Sequence, residues 1–248
     1  MGGYRLIALD LDGTLLTEEK TITAETKRWI RRATEAGIAV CFATGRAFQS
    51  ALPYAEELGL STPMVTVNGS EVWEAPHRLL QRTLLPHEPV LALRELALTY
   101  DTWYWAYSVE GVYNKDHWTD RPETTEWMKF GFYTEDEKAL AAVRAGVDAI
   151  GGLEVTNSHP MNLECNPAGI HKAAGLEGVC RLLGIRMDEV VAVGDSMNDL
   201  SMIRAAGLGV AMGNAQELVK HAADFVTDAN DEDGVARVIR ERVLEQRS

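Results

Sequence analysis

Two acidic side chains near the start of the sequence have a spacing suited to chemistry at the end of a strand. Asp10 and Asp12 lie in Asp10-Leu11-Asp12-Gly13-Thr14, directly after the apolar run Leu6-Ile7-Ala8-Leu9. Residues two apart point to the same side of an extended chain. Two such acids repel each other and lose solvation when covered, so sheet stability does not favour the pairing. A solvated Asp-Gly turn is the alternative for this segment taken alone.

Two further groups of residues offer partners for an anion. Thr44-Gly45-Arg46 follows the apolar run 38–43, and a hydroxyl beside a backbone N–H can hold a phosphate oxygen. Taken alone, such a threonine is more often a helix N-cap. Lys172 lies at the start of an amphipathic helix, where a cation is electrostatically unfavourable. An anion shared by the ammonium and the helix N–H groups would remove that conflict; a solvated lysine is the alternative.

The fourth group is Gly194-Asp195-Ser196-Met197-Asn198-Asp199. It places one carboxylate at a strand end, followed by an amide and a second carboxylate on the next turn. Mg²⁺ prefers hard oxygen ligands of this kind. The alternative is an ordinary helix start whose acids complement the helix dipole.

The elements that must position these groups alternate between strands and helices. Short apolar runs end at four polar residues, Asp10, Thr44, Asn68 and Asp195. Helices are predicted over 24–36, 171–183, 198–206, 215–222 and 234–245. This alternation predicts an α/β fold with a doubly wound, Rossmann-like parallel sheet. Ligands bind beyond the carboxyl ends of such strands, so the four polar residues are expected to meet at one edge.

The middle of the chain, 83–165, has a different pattern and holds four of the six tryptophans. It predicts an α+β cap inserted into a core formed by 1–82 and 166–248. Within it we expect a strand around Trp103–Tyr107, a strand over Val112–Trp118, a helix over 135–146 capped by Thr134, and strands near 153–157 and 161–165. Trp103, Trp105 and Tyr107 alternate as one face of a strand does. We expect at least half of these three to pack in the cap's own core, and the others to stack on a ligand.

Composition excludes several classes of protein. The chain has 248 residues, with 24 Lys and Arg against 37 Asp and Glu, a net charge of −13. This excess argues against general nucleic-acid binding and against an anionic membrane surface. The three cysteines form no CxxC pair, and neither a GxGxxG nor a P-loop pattern is present. The apolar run at 6–9 is too short for a signal peptide, and we expect a cytoplasmic location.

Taken together and in this order, the four groups resemble the motifs of the haloacid dehalogenase (HAD) superfamily of phosphohydrolases. The place of the insert, between the second and third groups, is similar to that in the Cof-type branch. The resemblance covers both core segments, whereas across the cap only the insertion point and the rough size agree. It implies a Mg²⁺-dependent phosphatase of small phosphorylated metabolites, such as sugar phosphates, acting as a monomer or homodimer.

The resemblance also implies roles for individual residues. Asp10 would be the nucleophile and form an aspartyl-phosphate, and Asp12 would serve as general acid and then base. Serving in both roles requires a pKa raised toward neutrality. The implied metal ligands are Asp10, the main-chain carbonyl of Asp12, Asp195 and, directly or through water, Asp199. The implied phosphate-binding residues are Thr44, Gly45, Lys172 and Asn198. Candidates for contact with the leaving group are Arg46, Asn157, Asn162 and Glu164.

Other functions remain open at this stage. A phosphomutase or phosphotransferase would use the same scaffold and the same groups. A phospho-receiver or regulatory module also needs an acidic pocket, a threonine and a lysine, although Asp12 and the large insert favour an enzyme. A catalytically inactive relative is disfavoured, because all of the expected groups are present.

Overall fold

A computed structural model describes residues 3–74 and 78–245. The first part of the chain forms β1 (Leu6–Leu9), α1 (Ala24–Glu35), β2 (Ala39–Phe42), α2 (Phe48–Glu57), β3 (Met64–Thr66), β4 (Glu71–Glu74) and β5 (Arg78–Arg82). The middle forms α3 (His87–Thr99), β6 (Trp103–Ser108), β7 (Val112–Asn114), β8 (Trp127–Tyr133), α4 (Glu137–Ile150), β9 (Leu153–Thr156) and β10 (Asn162–Pro167). The last part forms α5 (Lys172–Leu183), β11 (Val190–Gly194), α6 (Leu200–Ala205), β12 (Leu208–Ala211), α7 (Glu217–Ala222), β13 (Phe225–Val226) and α8 (Gly234–Val238).

A parallel five-stranded sheet with the strand order β13-β12-β11-β1-β2 is the centre of the fold. Strand β1, which lies between β11 and β2, is completely buried, and its alternate residues face two different hydrophobic clusters. Ile7 and Leu9 pack toward α1 and α8, whereas Leu6 and Ala8 pack toward α5 and α6. Helices on both faces explain why the strand is apolar throughout. The predicted doubly wound α/β fold is confirmed.

The third apolar run departs from the predicted arrangement. We expected a further strand of the parallel sheet, but β3 pairs antiparallel with β4 and meets β2's end through one parallel bridge, Ala43 to Val65. The chain reverses because Val67 and Asn68 adopt left-handed φ values of 51° and 57°. Val67 and Asn68 donate backbone hydrogen bonds to the carbonyls of Arg46 and Thr44. This tight turn therefore packs against the Thr44-Gly45-Arg46 segment.

A second, antiparallel sheet has the strand order β7-β6-β8-β10-β9. One of its faces is covered by α3 and α4, and a separate hydrophobic cluster fills the space between. Tyr104 and Ala106 of β6 belong to that cluster, whereas Trp103, Trp105 and Tyr107 lie on the opposite face. The expectation that at least half of these three would pack in the cap's core is wrong. The division at 83 and 165 stays a prediction, and β10 continues through Pro167.

Several predicted element boundaries are wrong for local reasons. The strand predicted to reach Trp118 ends at Asn114, because the Asn114 side chain accepts hydrogen bonds from the N–H groups of Asp116 and His117. The helix predicted from 135 begins at Glu137, and Asp136 caps it in place of Thr134.

The remaining helices differ from the predictions mainly in extent. The helices predicted from 198 and 215 begin at Leu200 and Glu217. The last predicted helix is α-helical only to Val238 and π-helical over Ile239–Leu244. No helix was predicted over α2, which contains Pro53, or over α3. Across the described residues, none of the helices has the length and hydropathy of a membrane span.

Candidate active site

Polar residues from three parallel strands meet at the carboxyl edge of the central sheet. Asp10, Thr44 and Asp195 follow β1, β2 and β11 and line one cavity of about 330 Å³. The opposite wall comes from the antiparallel sheet and its loops, with Trp105, Tyr107, Lys129, Ser158 and Glu164. The predicted convergence at one edge is therefore observed for three of the four residues, whereas Asn68 follows β3, outside the parallel sheet, and is not among the residues that line the cavity. The cavity lies between the parallel sheet and the five-stranded antiparallel sheet.

Lys172 is the fully buried centre of an ionic cluster beneath this cavity. Its Nζ lies 2.6 Å from Asp10 Oδ1 and 2.6 Å from Asp199 Oδ1. Helix α5 begins at Lys172 because the preceding His171 side chain caps it. The two carboxylates supply the negative charge that a lysine at a helix N-terminus requires. Burial lowers the pKa of Lys172, but Asp10 and Asp199 outweigh that effect and hold the pKa above its ordinary value.

Three carboxylates of the cluster lie close enough to share a cation. Ligand oxygens of Asp10, Asp195 and Asp199 are all within 4.8 Å of one another. Burial raises the pKa of Asp10 against the opposing effect of Lys172, and burial with the nearby Asp199 charge raises the pKa of Asp195 to about 7. Excess negative charge of this kind fits a divalent metal ion.

Asp199 differs from the other two acids because both of its oxygens already have partners. Oδ1 binds Lys172, and Oδ2 accepts the N–H groups of Asp195 and Ser196 at 2.9 and 3.0 Å. These bonds close the turn that follows β11. Asp199 thus orients the lysine and the loop, and it has little capacity left to coordinate a metal ion directly.

Gly13 brings the first and fourth groups of residues together. Its φ is +76°, and a Cβ there would lie 2.6 Å from Asp195 Oδ2, so only glycine fits. The next residue, Thr14, donates from Oγ1 to Asp195 Oδ1 at 3.3 Å. The Asp-Gly-Thr sequence therefore positions Asp195 and is more than a solvated turn.

The environment of Asp12 contradicts the expected rise of its pKa. Arg46 donates to both carboxylate oxygens at 2.6 and 2.7 Å, and Lys20 donates at 3.0 Å. Burial raises the pKa of Asp12, but these hydrogen bonds outweigh it and lower the pKa to about 2. The neighbours that set this pKa are the cations Arg46 and Lys20, which favour the charged form of the carboxylate.

The predicted phosphate-binding residues lie together. Thr44, Gly45 and Asn198 line the cavity, and Lys172 lies behind Asp10. Asn198 Nδ2 donates to Asn68 Oδ1 at 3.3 Å, and within the described part of the chain the buried Asn198 Oδ1 has no hydrogen-bond partner. Their individual roles stay predictions.

The four candidates for contact with the leaving group separate into two pairs. Arg46 and Glu164 line the cavity. Asn157 lines a different cavity and accepts a hydrogen bond from Gln216. Asn162 closes a turn, accepting from the N–H groups of Ser158 and His159. The structure thus does not bring Asn157 and Asn162 to the predicted position, because a local turn uses the side chain of Asn162 and a long-range hydrogen bond from Gln216 uses that of Asn157.

Sequence reasoning missed Lys129, Ser158 and Lys20, all of which line the cavity. Lys129 did leave a signal, since it is the single charge in the otherwise apolar β8 sequence Trp-Met-Lys-Phe-Gly-Phe-Tyr. A charged residue on a buried strand needs a partner. Asn68 ends an apolar run in the sequence, but that pattern alone predicts no role for it in the site.

The profile of the haloacid dehalogenase-like hydrolases matches residues 7–129 and 113–239. The chain belongs to the haloacid dehalogenase-like hydrolases. This hydrolase is 44% identical, over 97% of its length and 96% of the relative, to the 5-amino-6-(5-phospho-D-ribitylamino)uracil phosphatase YcsE of Bacillus subtilis. It is 31% identical, over 97% and 99%, to the pyridoxal phosphate phosphatase YbhA of Escherichia coli.

A solved haloacid dehalogenase-like hydrolase of B. subtilis superposes on this hydrolase with a TM-score of 0.87 at 25% identity, covering 96% of this chain and 99% of the other. The predicted HAD superfamily membership in the Cof-type branch is confirmed. This haloacid dehalogenase-like hydrolase is a phosphoric monoester hydrolase, as are the phosphatases that it resembles.

Proposed function

We propose that the protein is a Mg²⁺-dependent phosphatase of small phosphorylated metabolites that works through an aspartyl-phosphate on Asp10. The main support is the position of Asp10. It lies on the floor of the cavity, bonded to the buried Lys172 and next to Thr44 and Gly45. A carboxylate nucleophile, a fixed cation and neutral donors for phosphate oxygens are the parts that phosphoryl transfer requires.

Asp10, the main-chain carbonyl of Asp12 and the carboxylate of Asp195 would hold the Mg²⁺. When bound, the ion offsets the repulsion between an anionic nucleophile and a phosphate dianion, which matters in a protein of net charge −13. The clustered oxygens of Asp10 and Asp195, with their raised pKa values, support this assignment. Asp199 would contribute by orienting Lys172.

The proposed reaction has two steps. A carboxylate oxygen of Asp10 bonds to phosphorus while the bond to the leaving oxygen breaks, and Asp12 gives that oxygen its proton. Water then attacks phosphorus, Asp12 takes a proton from the water, and the bond to Asp10 breaks to release inorganic phosphate. Lys172, Thr44 and the Gly45 N–H would stabilise the charge on the transferring group.

The substrate we propose is a phosphate monoester that carries a planar nitrogen heterocycle. The names of both relatives describe such compounds, one a ribitylaminouracil phosphate and the other pyridoxal phosphate. Trp105 and Tyr107 on the cap wall offer aromatic faces on which a ring can stack. The first candidate is 5-amino-6-(5-phospho-D-ribitylamino)uracil, since the relative named for it is 44% identical.

We also propose a reducing, cytoplasmic environment. Cys41, Cys165 and Cys180 are free and buried. Burial raises the pKa of Cys165 to about 12, so its thiol stays protonated and unreactive. Such thiols suit a reducing compartment.

The test is a panel of phosphorylated metabolites, with Mg²⁺ or EDTA, that compares wild type with Asp10→Asn. We expect metal-dependent release of inorganic phosphate without an added acceptor, and a loss of at least about 10³-fold in the variant. The matched control is Asp188→Asn, an exposed acid that pairs with the exposed Arg186. Near-normal rates in Asp10→Asn would reject the nucleophile. Phosphate transfer that occurs only to an added hydroxyl acceptor would identify a phosphotransferase instead.

A further inference from the structure

Lys129 is a buried cation that reaches from the cap to the core. It lies in the middle of β8 and is only 2% exposed. Its Nζ donates to the main-chain carbonyl of Gly45 at 2.9 Å. The same atom lies 3.4 Å from Glu164 Oε1 and 4.5 Å from the centre of the Tyr107 ring. One ammonium thus contacts the predicted phosphate-binding loop, a buried carboxylate and an aromatic face.

Glu164 continues the connection on the neighbouring strand β10. Its Oε2 accepts from Asn68 Nδ2 at 2.6 Å, and its Oε1 accepts from Ser158 Oγ at 3.1 Å. Asn68 in turn accepts from Asn198 Nδ2. The Lys129–Glu164 ion pair therefore bonds to the core at two places, Gly45 and Asn68.

A pair of buried charges holds two surfaces together at a higher cost in free energy than apolar contacts do. Removing a lysine and a carboxylate from water is unfavourable for each ion, and apolar residues often hold such surfaces equally well. The ion pair does provide hydrogen bonds of defined direction, which apolar contacts cannot. The Lys129 ammonium fixes the Gly45 carbonyl, and the N–H at the other end of that peptide, on Arg46, donates to Thr44 Oγ1 at 3.1 Å. The peptide between Gly45 and Arg46 is held at both ends, which sets the orientation of the Thr44 hydroxyl and the Gly45 N–H.

We propose that Lys129 is a positioning residue that joins the cap to the Thr44–Arg46 loop, so that the loop binds phosphate fully only when the cap is docked. This rests on the proposed function in one respect, namely that the loop holds the phosphate group. The effect is independent of the leaving group, because Lys129 acts through the loop. A residue that only recognised the leaving group would affect some substrates and not others.

The test measures inorganic phosphate binding by calorimetry in the presence of Mg²⁺, together with kcat/KM on a ring-bearing and a ring-free phosphate monoester. We expect Lys129→Met to weaken phosphate binding by about tenfold, the usual effect of losing one charged hydrogen bond. kcat/KM should fall by a similar factor on both substrates. Lys129→Arg should recover part of the loss. Lys138→Met, at an exposed position on α4, is the matched control and should behave as wild type.

Wild-type phosphate affinity in Lys129→Met, or a loss restricted to the ring-bearing substrate, would overturn the proposal. If Lys129→Met does not fold, Glu164→Gln removes the ion pair with less disturbance, and a folded Glu164→Gln with wild-type phosphate affinity would equally overturn it. The proposed function fails separately, when the wild-type protein releases no phosphate from any monoester in the panel.

Discussion

Arg46 binds the carboxylate of Asp12 through two hydrogen bonds, from Nε to Oδ2 at 2.6 Å and from Nη2 to Oδ1 at 2.7 Å. With Lys20, this arrangement lowers the pKa of Asp12 to about 2. A carboxylate with that pKa carries no proton at neutral pH and cannot protonate a leaving group. The proposed general-acid role therefore requires Arg46 to release Asp12 as the substrate enters, and the occupied site to raise the pKa of Asp12 beyond its ordinary value of 3.8. Arg46 lines the same cavity, so a substrate can compete for its guanidinium.

Replacing Arg46 with Met should raise the pKa of Asp12 from about 2 toward its ordinary value of 3.8. The rise should be incomplete, because Lys20 still donates to Oδ1. Since the pKa is lowered in the folded state, the pair stabilises the fold above about pH 4, and that contribution is lost as the pH falls toward 2. NMR titration of the Asp12 carboxyl carbon measures the change. Lys20→Met is the comparison and should shift the pKa less; an unchanged Asp12 pKa in Arg46→Met would contradict the assignment.

The meeting of three of the four motifs could be predicted because it depends on a general property of parallel sheets. Asp10, Thr44 and Asp195 each follow a buried strand, and the carboxyl ends of parallel strands lie at one edge. Predicting that these residues meet required only the pattern of strands, and no knowledge of side-chain conformations. The tight turn at Gly13 could also be predicted from the sequence pattern alone, since Asp-x-Asp-Gly is typical of such a turn.

The partners of these residues could not be predicted in the same way. Arg46 and Asp12 are 34 positions apart, and their contact depends on how the loop after β2 folds back. Lys129 contacts Gly45 only because the cap lies over the core, and no periodic pattern encodes that docking. The structure does not bring Asn162 to the cavity for a local reason, because an asparagine side chain is as suited to closing its own turn as to binding a ligand.

Metal removal should make stability depend on pH through Asp195. Its folded pKa of about 7 exceeds its ordinary value of 3.8, so without metal the folded state binds more protons than the unfolded state between these values. Stability should therefore fall as the pH rises from 5 to 7.5, by roughly 2 kcal/mol. Urea denaturation in EDTA measures this fall. Added Mg²⁺ should reverse it and Asp195→Asn should reduce it; an equal fall in Asp195→Asn would assign it to other groups.

Lys172→Met should destabilise the metal-free protein by about 3–5 kcal/mol, because it leaves the buried Asp10 and Asp199 charges without a cation. Urea denaturation at neutral pH gives the value. Adding Asp10→Asn to the variant should recover part of the loss by removing one of the two charges. The control is Lys220→Met, which breaks an exposed pair with Glu217 and should cost under about 1 kcal/mol. Similar losses for the two lysines would contradict the ionic cluster.

Trp105 should determine affinity for the ring of the substrate. It lines the cavity, and its indole lies against Gly131 on the neighbouring strand so closely that a Cβ there would displace it. We expect Trp105→Ala to raise KM for a ring-bearing monoester by about tenfold, and to leave KM for a short phosphorylated polyol unchanged. Gly131→Ala should act in the same direction by moving the indole.

Trp103→Ala is the matched control for this prediction, because Trp103 lies on the same face of β6 but is 40% exposed and outside the cavity wall. It should leave both KM values at the wild-type level. The comparison of substrates separates two roles of Trp105. A ring that stacks on the ligand affects one substrate, whereas a ring that only shapes the cavity affects both. Equal increases of KM for the two monoesters would therefore reject stacking and leave Trp105 as part of the cap's packing against the core.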